Sequence, residues 1–222
     1  MNRAAAGLLV FAVILGSVPA QEQPPARPED PLLMQRRLAM VLRQSTKHYE
    51  AEQYQAALDR LNVLQGPAAQ DLSVLNLRGA ILTKMGRYQE ALDLFNAILA
   101  TDRNYFPAAF NLGEVQFLSG DVEGSLETFQ RMRRRDPRNE LVRFKVLVCL
   151  LKLNRDDEAE KIADGLIPAG GTPAWYYAQA MIARKAGEEK AARKNLTAAR
   201  SIYQKANCQL FDESIEIVKF QP

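Results

Sequence analysis

Histidine is almost missing from this sequence: His48 is the only one, and cysteine occurs twice, at Cys149 and Cys208. A single imidazole excludes multi-histidine metal sites, and with no nucleophile motif beside it there is no triad. Two cysteines are too few for a disulfide scaffold, and neither belongs to a Cys-x-x-Cys or Cys/His cluster. No glycine-rich loop of the phosphate-cradling kind is present. Charge of one sign is also scarce: the net charge of +3 excludes nucleic acid as an expected partner. The acidic run Asp156-Asp157-Glu158 reads as a helix start, where the dipole favours negative charge, rather than as a catalytic pair. The sequence therefore predicts no enzyme, no metal, no cofactor and no small-molecule substrate.

Long hydrophobic runs are missing as well. The run from Ala4 to Leu15 falls short of the ~20 residues of a spanning helix. It follows Arg3 and precedes the small residues Val18-Pro19-Ala20, the layout of a signal peptide cleaved after Ala20. Residues 1–20 are thus expected to be removed, leaving a periplasmic or secreted chain; the alternative is an uncleaved membrane anchor. Residues 21–36 hold Pro24, Pro25, Pro28 and Pro31 and are expected to form a disordered linker. Cys149 lies in the apolar helical run Val146–Leu151 and reads as a buried small hydrophobe; a bridge to Cys208 is not expected.

What is present is a repeat. Tyr54-Gln55-Ala56-Ala57-Leu58 matches Tyr88-Gln89-Glu90-Ala91-Leu92, and related segments follow around Ser125, Ala159 and Ala192. The small residues Ala57, Ala91, Ser125, Ala159 and Ala192 are spaced 34, 34, 34 and 33 apart. A unit of that length holds two helices and a turn, and such hairpins must stack to share a core. A second small residue recurs twelve positions earlier, at Ser45, Gly79, Gly113 and Ala180, with Leu147 breaking the pattern in the fourth unit. A packing residue recurs four positions after the first set, at Leu61, Phe95, Phe129 and Leu196, where Ala163 is undersized. Gly86, Gly120, Asn154 and Gly187 fall at the turns and tolerate left-handed backbone. The prediction is all-α: an α-solenoid of about five helix-turn-helix units (38–71, 72–105, 106–139, 140–172, 173–205) within an array over 37–205. A capping segment over 206–222 follows, where Ile215-Glu216-Ile217 also alternates like a strand.

Leu77-Arg78-Gly79 with Gly86–Phe95, and Asn111-Leu112-Gly113 with Gly120-Asp121 and Phe129, resemble the tetratricopeptide repeat family; the likeness runs from about 38 to 204. The resemblance implies a superhelix whose first helices line a concave groove that binds proteins. The residue fifteen before each helix-B small residue tends to face that groove in such folds: Leu42, Asn76, Phe110, Phe144 and Tyr177. Neighbouring inner places are Glu114, Val148 and Met181, then Phe117, Leu151 and Arg184, with Lys84, Lys152, Arg184 and Lys185 on the rim. The candidate partner-binding residues are Asn76, Phe110, Glu114, Phe117, Phe144, Val148, Tyr177, Met181 and Arg184. Two readings of the aromatic ladder stand side by side: anchors for a peptide or helix, or packing against the next repeat. The carboxylate clamp of some family members is incomplete: Asn111 and Lys145 fit, but Leu42, Thr46 and Leu141 stand at its other places. The cluster Arg131, Arg133, Arg134, Arg135 and Arg138 fits a helix C-terminus, with an acidic partner or anionic lipid as the alternative.

The expected function is protein–protein interaction, as a scaffold or adaptor in the cell envelope that takes a peptide or helix in its groove. A chaperone-like binder of exported clients and a membrane-anchored assembly factor are the alternatives.

Overall fold

The computed structural model describes residues 30–217; the expected signal peptide, most of the linker and the last five residues lie outside them. Eleven α-helices form among the described residues: α1 (Pro31–Glu50), α2 (Tyr54–Leu61), α3 (Leu72–Lys84), α4 (Tyr88–Thr101), α5 (Phe106–Ser119), α6 (Val122–Arg135), α7 (Glu140–Lys152), α8 (Asp156–Asp164), α9 (Ala174–Lys185), α10 (Glu189–Ile202) and α11 (Lys205–Ile217). A short 3-10 turn over Gly66–Gln70 joins α2 to α3. The first ten helices pair as five hairpins, each packed on the next, and α1, α3, α5, α7 and α9 line up along one side.

The register holds in every hairpin. Ala57, Ala91, Ser125, Ala159 and Ala192 are each the fourth residue of their helix and have no exposed surface. Each donates its backbone N–H to the residue just before that helix: Gln53, Arg87, Asp121, Arg155 and Glu188. A small side chain is required because the hairpin partner passes close by. A β-carbon added at Gly79 would stand 2.6 Å from the Phe95 ring, and one at Gly113 would stand 2.6 Å from the Phe129 ring. The fourth hairpin keeps the fit by exchanging sizes: Leu147 takes the glycine's place, Ala163 takes the phenylalanine's, and both are buried. Hydroxyls fasten two hairpins, with Ser45 Oγ donating to the Ala57 carbonyl and Ser125 Oγ to that of Gly113, both at 2.8 Å.

The turns reverse through left-handed residues. Gly86, Gly120, Asn154 and Gly187 have φ between 58° and 95°, and Glu52 does the same work in the first hairpin at φ 58°. The next residue's N–H closes the helix end, as in Arg87 to the Leu82 carbonyl and Glu188 to that of Ala183.

Two expectations are corrected. Residues 31–36 belong to α1 rather than to a linker, because Asp30 accepts the Leu32 N–H and Pro31 stands at the first helical position, where its missing N–H costs nothing. Ile215 and Ile217 are helical, not strand, since the spacing that buries α11 is Cys208, Phe211 and Ile215.

Candidate functional site

The inner wall comes from the first helix of each hairpin. On its N-terminal half, Leu42 and Asn76 remain partly exposed, and Asn111 Nδ2 donates to Asn76 Oδ1 at 3.1 Å, tying α5 to α3. On its C-terminal half the wall is covered by the chain itself. Helix α11 crosses it, and Phe211 sets its ring 5.0 Å from Phe144 and 5.2 Å from Tyr177. Phe144 and Tyr177 also meet edge-on at 6.2 Å, so each packs against the neighbouring repeat and against α11. Phe144, Val148, Tyr177 and Met181 are consequently buried, not an open face. Phe110, 9% exposed, faces Phe129 of its own hairpin at 5.6 Å.

Polar groups fix α11 along its length. Asp212 accepts from the Tyr177 hydroxyl at 2.7 Å and from Arg200 at 2.6 Å. Glu213 reaches Lys84 on α3 at 3.3 Å. Ser214 Oγ accepts from Lys145 Nζ at 2.6 Å, and Arg184 donates to the Ile215 carbonyl at 3.1 Å. Lys145 is the centre of this arrangement. Its side chain is 5% exposed, pairs with Glu114 at 2.8 Å and lies 5.6 Å from the centre of the Phe110 ring. A buried ammonium is tolerable only with such partners. Phe117 lines the crevice between Lys145, Val148 and Ser214.

Burial and the hydrogen bond to Asp212 both push the Tyr177 hydroxyl above its ordinary range. Burial likewise pushes the Cys149 thiol up to about 12, against a weaker opposing hydrogen bond from Ser125. Cys149 and Cys208 are both buried and free.

Several residues named from the sequence stand elsewhere. Lys185, expected on the groove rim, turns to the preceding hairpin, donating to the Leu151 carbonyl at 2.5 Å and pairing with Asp156 at 2.9 Å. Its ammonium there complements the C-terminal end of α7. His48 contacts Gln53 Oε1 within the first turn at 2.7 Å. Asp156, Asp157 and Glu158 form the first turn of α8, with Glu158 paired to Arg155. The arginine cluster does end α6, and Arg131 and Arg135 join Arg103 around a pocket of about 360 Å³ on the outer side. Ser214, Asp212 and Glu213 are site residues that repeat offsets did not reveal, because they lie after the periodic array. Among the described residues no group of three or more His, Cys, Asp or Glu side chains gathers as a metal site. No described helix is long and apolar enough to cross a membrane.

Stacked helical hairpins with a concave wall define an α-solenoid. Tetratricopeptide repeat models match residues 30–104, 82–145 and 119–182, and the chain belongs to that family. Domains of this family generally mediate protein–protein interactions, and no enzyme family is indicated. FK506-binding protein 59 of Drosophila melanogaster is 30% identical over 78 residues, which are 35% of this chain and only 18% of that protein. The fold resembles a tetratricopeptide repeat protein of Parabacteroides merdae, with TM-score 0.64 and 17% identity over 81% of this chain and 70% of that one. It also resembles a thermophilic repeat protein of Thermus thermophilus, with TM-score 0.63 and 19% identity over 81% and 98% of the two chains. A structure titled MamA MSR-1 aligns with TM-score 0.52 and 21% identity over 77% and 98%. These likenesses concern the fold alone.

Proposed function

We propose that the chain is a scaffold or adaptor of the cell envelope whose concave wall receives a peptide or helical segment of another protein. One observation carries this reading: the wall already clasps an amphipathic helix, through the aromatic nest of Phe144 and Tyr177 and the buried Lys145. Aromatic anchors give large contact area at modest entropy cost, and a buried polar centre fixes orientation. The envelope address rests on the signal-peptide layout of residues 1–20.

The test is affinity capture from envelope extract with cross-links mapped by mass spectrometry. A single stoichiometric partner cross-linked to Lys84 supports the scaffold. Many substoichiometric clients support the chaperone-like alternative. A partner whose binding survives the folded Phe110→Ala/Phe144→Ala double variant excludes the groove. N-terminal sequencing that finds Gln21 first supports export with cleavage, and an intact Met1 favours the membrane-anchored assembly factor.

A further inference from the structure

The path of α11 carries information that a stacked array does not need. A helix that merely closes the end of a solenoid has to cover only the last hairpin. Helix α11 instead runs back across α9 and α7 and reaches Lys84 at the end of α3, a contact between residues 129 apart in sequence. Its apolar stripe faces the wall. Cys208, Phe211 and Ile215 are buried, whereas Leu210 is 46% exposed. The polar residues around that apolar stripe reach partners on different sides of the groove: Asp212 meets Arg200 on α10, Glu213 meets Lys84 on α3 and Ser214 meets Lys145 on α7, while Phe211 fills the Phe144–Tyr177 nest.

Helix α11 depends on the wall for its order. It has 13 residues, a length at which an isolated helix is marginal, so its order comes from the wall. Only Tyr203 and Gln204 separate it from α10; the Tyr203 hydroxyl is fastened to the Gly170 carbonyl at 2.9 Å, so α11 would leave the wall by turning at Gln204. Its ion pairs are open to water: the side chains of Lys84 and Glu213 are 37% and 36% exposed, and that of Arg200 is 57% exposed.

We propose that α11 is a removable occupant of the groove, and that the partner is an amphipathic helix carrying the same run of side chains: an aromatic residue on its apolar stripe, followed directly by two carboxylates and a small hydroxyl residue that reach the two sides of the groove. This rests on the groove reading above and names its partner class. Tethering gives α11 a high local concentration, so an incoming helix binds weakly until α11 is weakened.

A fluorescent peptide spanning residues 204–217 tests this by anisotropy against three forms of the full chain. The expected order is weak binding to the parent, at least about tenfold tighter binding to Phe211→Ala, and loss of binding in Phe211→Ala/Phe144→Ala. A peptide with Asp212→Asn and Glu213→Gln should bind several-fold more weakly and lose its salt dependence. Should Phe211→Ala fail to fold by circular dichroism, Asp212→Ala/Glu213→Ala serves as the weakened form. Equal affinity for the parent and a folded weakened form overturns the proposal. So does a captured partner that needs Phe144 yet binds the parent and the weakened form alike; that result would leave the groove reading standing.

Discussion

The two ends of the inner wall use the same positions of the repeat differently. Leu42 and Asn76 are partly open, while Phe144 and Tyr177, at the equivalent places further along, have no exposed surface. The hairpins behind them share a buried small residue at the fourth place of each second helix and a left-handed turn, the fourth differing in its exchange of Leu147 and Ala163. The difference therefore lies in what lies on the wall, not in the array. Aromatic side chains in the C-terminal half hold α11, whereas the N-terminal half carries Leu42, Asn76 and Thr46 at its inner places. A solenoid separates these jobs readily, because each repeat depends mainly on its neighbours.

That contrast can be broken. Phe144→Ala should cost about 3–5 kcal/mol in urea unfolding, whereas Asn76→Ala, at the equivalent open place, should cost under about 1 kcal/mol. Similar losses at both positions would mean that the halves do not differ. Inside the hairpins the halves should instead agree. Gly79→Ala and Gly113→Ala each drive a β-carbon into a phenylalanine ring, and each should cost about 1–3 kcal/mol by the same measurement.

Alkaline pH acts on both halves, through the Tyr49 phenol raised by burial on α1 and through the raised Cys149 thiol and Tyr177 phenol of the covered half, and Cys149 separates them because its thiol titrates first in the unfolded chain. Cys149 keeps its proton to about 12 when folded and loses it near 9.0 when unfolded, so its contribution is full below pH 9 and is lost as pH rises towards 12. Stability should fall by about 1 kcal/mol between pH 9 and pH 10 from this group alone, and Cys149→Ala should remove that part. Tyr177, whose phenol is also raised, adds a further loss above pH 10 that the cysteine variant leaves in place. The smallest effect belongs to the first turn. Glu52→Gly relieves a left-handed backbone at φ 58° and should raise the unfolding midpoint by an amount worth about 0.5–1 kcal/mol.

The array was legible because its determinants are local and periodic. Ala57, Ala91, Ser125, Ala159 and Ala192 fix where helices meet, and Gly86, Gly120, Asn154 and Gly187 fix where they turn. The start of α1 was legible too, in Asp30 followed by Pro31, but the prolines around it read as linker. Leu147 and Ala163 look like two faults until the structure shows them as one exchange of volume. The wall positions were found by offset, and packing against the next repeat was one of the two readings of their aromatics, which the Phe144–Tyr177 contact meets; what the repeat did not announce is the cover laid over them by a helix beyond its last unit. No local pattern announces that Glu213 will meet Lys84 or that Ser214 will meet Lys145. Ile215 and Ile217 even suggested a strand, since two residues cannot separate a period of two from one of 3.6.

Hydrogen exchange under native conditions tests the central claim most directly, by comparing amides of α11 with those of α7 and α9. An array whose groove holds a removable helix predicts that α11 opens at a lower free energy than the two helices it covers. Exchange of α11 in step with α9, at the cost of unfolding the last hairpin, would contradict it.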